Sequence, residues 1–335
     1  MVLSTPLTEM LGIEAPIIQG GMQHVGIAEM ASAVSNAGGL GILTALTQPT
    51  PEALRAEIKR TRTMTDKPFG VNITILPMLI PADYDEYARV AAEERVAMVE
   101  IAGGSPKKYV PLFHKYGVKV LHKSATIRHA LKAQAAGVDL IEVVGYGASI
   151  AGGQPGDEID AWVMIAKATS ILDTPVIASG ATGTGRQLAA ALAMGAIGVT
   201  MATRFLATVE APIHRNIKEH MALPEVDERS TTVVLGKLSN ATRVFKNTVT
   251  MKMREIEDEG EVAFTDLQPY ASGLRTKKMW KETGDWDDSM WSCGQSLGLI
   301  TDIPTCSELV QRMVKEAEQQ LQRGATLVVS RRSKL

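Results

Sequence analysis

The chain has 335 residues, of which 45% are hydrophobic and 21% charged, a balance that belongs to a globular protein with a sizeable core. Its formal net charge of −2 excludes a global attraction to nucleic acid or to an anionic membrane. The two cysteines, Cys293 and Cys306, make neither a disulfide framework nor a metal-ligand pattern, which favours a reducing compartment, and no apolar run reaches membrane-spanning length.

Short apolar runs at 17–19, 41–43, 69–75, 98–101, 119–122, 140–144, 176–178 and 198–201 predict buried parallel strands. Helical patterns fall between them, at 28–37, 51–63, 83–94, 106–116, 126–136, 160–171 and 185–194. Gly38, Gly117, Gly137 and Gly195 stand where helix stops are expected. Strand and helix alternating through short connections predict an α/β fold, a (β/α)₈ TIM barrel occupying residues 1–211. The alternative is an open doubly wound sheet, with Gly180-Ala181-Thr182-Gly183-Thr184-Gly185 as a dinucleotide loop. That spacing departs from G-x-G-x-x-G, and it lies late in the chain instead of at the first βα turn.

After Pro212 the rhythm breaks. Residues 212–294 are richer in charge, with helical patterns near 212–221, 233–238 and 245–257. They read as an inserted helical lid, because barrel sites lie at strand C-terminal ends where excursions can cover them. The segment 295–330 carries an amphipathic helix at 307–323 that returns to the outside of the barrel. The tail 331–335 ends in Ser333-Lys334-Leu335, a peroxisomal address at a eukaryotic C-terminus, read by an import receptor. In a bacterial chain it carries no address, and a cytoplasmic location is expected.

Chemistry is expected at the strand ends. Gly20-Gly21-Met22-Gln23-His24 follows the first strand, where Gly21 permits close approach to a flat ligand and Met22 offers a polarizable surface. His24 reads either as a substrate contact or as a structural histidine. Asn72 brings an amide that can donate and accept. Lys123 places positive charge on a phosphate or an anionic ring, or else caps the barrel rim in solvent. The loop 145–157 holds five glycines in thirteen residues, a shape that a ligand is expected to fix. Ser179-Gly180-Ala181 and Ala202-Thr203 follow strands seven and eight, where barrels bind phosphate. One phosphate between two turns suits a mononucleotide such as FMN.

Taken together, Thr8-Glu9-Met10-Leu11-Gly12, Gln19-Gly20-Gly21-Met22-Gln23, Pro68-Phe69-Gly70-Val71-Asn72, His122-Lys123, Ala178-Ser179-Gly180 and Thr203-Arg204-Phe205-Leu206 resemble the nitronate monooxygenase (2-nitropropane dioxygenase) family. The similarity runs nearly end to end and looks closest to the branch containing NADH:quinone reductases. The resemblance implies non-covalent FMN, contacted by Gly21, Met22, Gln23, Asn72, Lys123, Gly152, Ser179, Gly180, Ala181, Ala202 and Thr203. It also implies a small-molecule substrate, a nitronate or a quinone, with NADH or NADPH as a reductant for the latter. Where the family reads Ala-Gly-His-Pro-Gly, this chain has Gly152-Gly153-Gln154-Pro155-Gly156. Gln154 can hydrogen-bond an oxygen but takes no proton near neutrality. The expectation is therefore oxidation of an already deprotonated nitronate with O2, or quinone reduction, neither of which needs a protein base. An FMN-type enoyl-acyl carrier protein reductase and a flavin-binding protein without turnover are further alternatives.

Overall fold

The computed structural model describes residues 3–75, 82–149 and 158–328. Its centre is a ring of eight parallel strands, β1 (Ile17–Gln19), β2 (Gly41–Thr44), β3 (Phe69–Ile75), β4 (Met98–Gly103), β5 (Lys119–Ser124), β6 (Leu140–Val144), β7 (Val176–Ser179) and β8 (Gly198–Met201). Neighbours in sequence are neighbours in space, and β8 pairs back onto β1. The ring closes at Leu40, whose N–H donates to the Ile17 carbonyl and whose carbonyl accepts from Gln19 N–H, both at 2.9 Å. Each strand expected from the apolar runs is present, so the open-sheet alternative fails on that closure.

Between the strands lie α2 to α8, after a short α1 (Pro6–Leu11) that precedes β1. They are α2 (Ala28–Asn36), α3 (Pro51–Arg62), α4 (Tyr84–Glu93), α5 (Val110–Lys115), α6 (Ile127–Ala135), α7 (Ala161–Ile171) and α8 (Gly185–Ala193). Thr50, Asp83, Thr126, Asp160 and Thr184 accept from backbone N–H groups at the helix starts they precede, which satisfies donors the helix itself cannot. Leu7 and Leu11 of α1 pack with the inward residues Ile18, Ile42, Met98, Leu121, Leu140 and Ile177, so α1 plugs the end of the barrel at which the strands begin.

Side chains alternate along a strand, so the inward set recurs every second residue. One step beyond the apolar floor of Met98, Leu121, Leu140 and Ile177 come Glu100, Lys123, Glu142 and Ser179. The register agrees: Asn72 faces Glu100 and Lys123 faces Glu142 across adjacent strands. The barrel interior therefore changes from hydrocarbon to charge just below its mouth.

Beyond β8 come α9 (Thr203–Leu206), α10 (Arg215–Met221), an antiparallel pair β9 (Thr231–Val234) and β10 (Thr242–Phe245), then α11 (Thr248–Asp258), α12 (Phe264–Leu267), α13 (Gly273–Lys278) and α14 (Cys306–Thr326). The covering segment is thus not wholly helical. The helix expected over 233–238 is the end of a strand followed by a single tight turn, and the one expected from residue 245 starts at Thr248. The β-branched runs Thr231-Thr232-Val233-Val234 and Thr242-Arg243-Val244 favour a pleated pair. Leu235 and Ser239 take left-handed backbone at φ 62° and 53°, and the Glu257 carboxylate accepts from Leu235 N–H at 3.1 Å and Lys237 N–H at 3.3 Å, which confines the helical stretch to one 3-10 turn, Gly236–Leu238. The α14 helix packs on α8 and α2 outside the barrel. No described helix is long and apolar enough to cross a membrane. Both cysteines are free and buried, and burial raises the thiol pKa of each, that of Cys306 to about 12.

Candidate active site

Lys123 leaves β5 toward the mouth, and its ammonium stands between two carboxylates. Nζ lies 2.9 Å from Glu100 Oε1 and 3.3 Å from Glu142 Oε1, and both glutamate side chains have 0% exposure. Burial alone would lower the lysine's pKa, but the two carboxylates outweigh it and hold the ammonium above its ordinary range. For Glu142 burial dominates, and its pKa is raised. Lys123 was expected as a cation aimed at a phosphate or a ring; the structure instead shows its charge already shared between two acids.

Above this layer sits the β1–α2 turn. Gly21 N–H donates to Glu100 Oε2 at 3.3 Å. A Cβ on Gly21 would stand 2.4 Å from Asn72 Cγ, so only glycine lets the turn cross the Asn72 amide. Met22 is tied through its N–H to Thr44 Oγ1 at 2.9 Å, and His24 through its N–H to Thr47 Oγ1 at 2.9 Å. His24 holds a left-handed φ of 64°, a backbone state of the kind that clusters at ligand sites. Burial, with Lys277 and Lys281 nearby, keeps its imidazole pKa below the ordinary value.

A small pocket lies beside Lys123, lined by Ser179, Gly180, Ala181, Thr182, Thr203 and Ser296 among others. Gly180 (φ 111°) and Ala181 (φ 58°) are successive left-handed residues, which turns adjacent N–H groups into a concavity suited to an anion. Among the described residues nothing accepts from the N–H groups of Gly180, Ala181 or Thr203. Gln187 braces the turn, donating to the Ala181 carbonyl and accepting from Gly183 N–H, both at 2.8 Å.

The larger cavity, 330 Å³, opens next to it and shares Ser149, Ala202 and Thr203 with the small one. Gly21, Met22, Gln23 and His24 form its barrel wall; Leu235, Phe264, Trp280, Met290 and Trp291 form the opposite wall. Trp291 stacks on Phe245 with centroids 4.6 Å apart and meets Trp280 edge-on at 6.2 Å. None of the described residues lining this cavity carries a formal charge except His24 when protonated. Arg243 ties the two walls together: it is buried, donates from Nε to the Tyr146 carbonyl at 3.1 Å, and covers the Tyr146 ring at 4.6 Å. Its own carbonyl accepts from Ser149 Oγ at 2.7 Å.

The expected residues Gly21, Met22, Gln23, His24, Lys123, Ser179, Gly180, Ala181, Ala202 and Thr203 thus line two adjoining pockets, and Asn72 packs against Gly21 behind that lining. Gly152, Gln154 and the tail 331–335 lie outside the described residues. Sequence reading missed Glu100, Glu142, Arg243, Trp280 and Trp291. A lone glutamate inside each of two apolar strand runs was the available signal for the first pair.

Comparison with known proteins follows the same lines. The sequence model of the nitronate monooxygenase family matches residues 4–316. A Mycobacterium tuberculosis (3aS,4S,5R,7aS)-5-hydroxy-7a-methyl-1-oxo-octahydro-1H-indene-4-carboxyl-CoA dehydrogenase is 30% identical, over 98% of this chain and 100% of its own length. The structure of FabK from Thermotoga maritima superposes with a TM-score of 0.87 at 33% identity, covering 97% of this chain and 100% of that one. The nitroalkane oxidase of Streptomyces ansochromogenes gives a TM-score of 0.81 at 26% identity, covering 96% and 99%.

Proposed function

We propose that this chain, which belongs to the nitronate monooxygenase family, is an FMN-dependent oxidoreductase that exchanges electrons with a bulky, mostly apolar substrate held beneath the covering segment. The observation carrying this reading is the 330 Å³ cavity with an uncharged, aromatic far wall, directly beside a pocket of free backbone donors.

The residues present fit FMN. The free N–H groups of Gly180, Ala181 and Thr203 are the donor set a phosphate needs. The absent side chain of Gly21 lets the Asn72 amide pack directly beneath the turn, where with Lys123 it would meet the polar edge of a ring. Bound FMN would supply two-electron transfer between a donor and an acceptor. The chain's own residues would hold, orient and shield: Trp280 and Trp291 exclude water from the far side, and Lys123 sets the charge beneath the ring.

Of the two expected reactions, the cavity favours NAD(P)H-driven quinone reduction over nitronate oxidation. A nitronate is an anion, and no described lining residue offers it a lysine or arginine, so its burial would go uncompensated. A quinone is neutral and flat, suited to a wall of Trp, Phe and Met. A second reading, an acyl-CoA substrate, is supported by exposed Lys277 and Lys278 on α13, which borders the cavity through Gly273 and Thr276, and by the coenzyme A thioester in the mycobacterial relative's name.

Anaerobic stopped-flow absorbance tests these readings. The purified protein is mixed with NADH, NADPH or propyl-1-nitronate, then with a naphthoquinone. Bleaching by a nicotinamide followed by recovery with quinone is the expected result. Bleaching by nitronate alone would move the assignment to nitronate oxidation, and a colourless protein would remove the flavin.

A further inference from the structure

We propose that Glu100, Lys123 and Glu142 together hold one carboxyl proton at neutral pH, making the layer beneath the flavin site electrically neutral, and that this proton controls how readily the site accepts the negative charge of a reduced ring. The second half rests on the flavin reading above; the first half does not.

Two carboxylates and one ammonium share a space in which both glutamates are wholly buried. With both acids ionised, the layer would keep one uncompensated negative charge, which is costly in a medium of low polarizability. The remaining polar groups facing it are the amide of Asn72 and the hydroxyls of Ser179 and Thr200, and none of these is a cation. Two carboxylates beside one ammonium leave one charge uncompensated, and one proton shared in the layer removes it.

Geometry also says where the proton sits. Glu100 is the better-supported anion: Oε1 is 2.9 Å from the ammonium, and Oε2 accepts the Gly21 N–H at 3.3 Å. Glu142 is farther from Lys123, at 3.3 Å, and receives no backbone N–H; like Glu100 Oε1, its two oxygens meet hydrogen-bond geometry with no described group. Thr200 Oγ1, also buried and without a partner, stands beside it. A protonated Glu142 has an O–H to give to that oxygen. Burial pushes the Glu142 carboxyl in the same direction.

Consequences for the site follow from charge counting. A ring reduced to its anionic form adds one negative charge above Lys123. Over a neutral layer this charge meets a lysine whose field is cancelled once; over a doubly ionised layer it would meet a net negative charge. Glu142 is therefore a positioning residue, acting on the cofactor through Lys123.

The test is infrared spectroscopy of the purified holoprotein carrying ¹³C-labelled glutamate, at neutral pH. A protonated-carboxyl stretching band that shifts with the label and in D2O is expected in the wild type. It should disappear in Glu142→Gln. It should also disappear in Glu100→Gln, because the remaining Glu142 then ionises against Lys123. Absence of the band in the wild type, or its persistence in Glu142→Gln, overturns the proposal. Should Glu142→Gln fail to fold, persistence of the band in Glu100→Gln overturns it equally. Reduction midpoints give the second readout: Glu142→Gln swaps one neutral group for another and should leave the ratio of reduced to oxidised flavin at a set potential within about threefold of wild type. A shift above about tenfold toward reduced flavin would mean that an ionised carboxylate had been removed. A colourless protein with the band intact would refute the flavin reading and leave the shared proton standing.

Discussion

The two walls of the larger cavity are built by opposite means. The barrel wall is backbone: a glycine turn laid over an amide, with a buried ion cluster below. The covering wall is side chain, with Trp280 and Phe264 presenting rings from short helical segments and Met290 and Trp291 presenting sulfur and ring from the irregular stretch beyond. On the first wall, close approach leaves no room for a single added carbon. On the second, ring can replace ring at modest cost. Cofactor handling and substrate choice are thus assigned to parts of the chain that can change separately.

That contrast can be broken most forcefully at the cluster. Lys123→Met leaves the ionised acid of the buried pair without a cation and should cost about 3–5 kcal/mol near neutrality. Burial without a cation favours the protonated form of Glu142, whose carboxyl is already pushed up, so stability is retained in acid and lost as pH rises. Urea unfolding at mildly acidic and at neutral pH checks this; a loss of equal size at both would show that the barrel wall does not depend on charge.

A smaller effect is expected at the turn. Gly21→Ala brings a Cβ against Asn72 and should weaken FMN binding by about 1–3 kcal/mol through overpacking, read by flavin fluorescence on titration of the apoprotein. Met22→Leu, a volume-conserving neighbour, should change affinity little. On the far wall, Trp291→Phe should cost less than about 1.5 kcal/mol of stability and raise KM for a bulky acceptor while leaving FMN affinity unchanged. If FMN affinity falls as much as in Gly21→Ala, the division between the walls is wrong.

The smallest effect is in acid. His24, His122 and His220 all have pKa values lowered from the ordinary 6.5, chiefly by burial. Below that value the unfolded chain binds protons that the folded one refuses, so stability is whole above it and declines as pH falls. His220, stacked on Trp286 at 3.8 Å, belongs to the covering side, and His122, bonded to Ser124 Oγ at 2.8 Å, to the barrel. Replacing each with glutamine and comparing the acid slopes of the urea midpoint shows which wall yields first. Each contribution should be under about 1 kcal/mol, less than the cost of one full pKa unit.

The barrel was legible because strands buried on both faces leave short unbroken apolar runs, and the phosphate turn because Gly180 follows such a run directly. Glu100 and Glu142 escaped notice because one glutamate in a strand reads as a solvent-facing residue, whereas in a closed ring the inward face has no solvent to meet. The hairpin was hidden for a different reason. Val233 to Leu238 carries a helix-like spacing of apolar residues, and only Glu257, distant in sequence, shows why the backbone turns left-handed at Leu235 instead. Trp280 and Trp291 gave no local signal, since their stacking partners and the cavity they wall come from remote segments.

The α14 helix has a bearing on how the protein is made. Gly185 N–H at the start of α8 donates to Glu316 Oε2 at 2.8 Å, and a Cβ on Gly185 would come within 2.2 Å of the Met313 carbonyl. The gap in the helix ring between α8, after the seventh strand, and α2, after the first, is therefore covered by residues synthesised more than a hundred positions after α8. A nascent chain that has already emerged through β8 still shows ribosome-side factors an apolar stripe along α2 and α8. Chaperone engagement during translation should persist until Thr326 has left the exit tunnel, and shortening the delay between those two moments should raise the yield of folded protein.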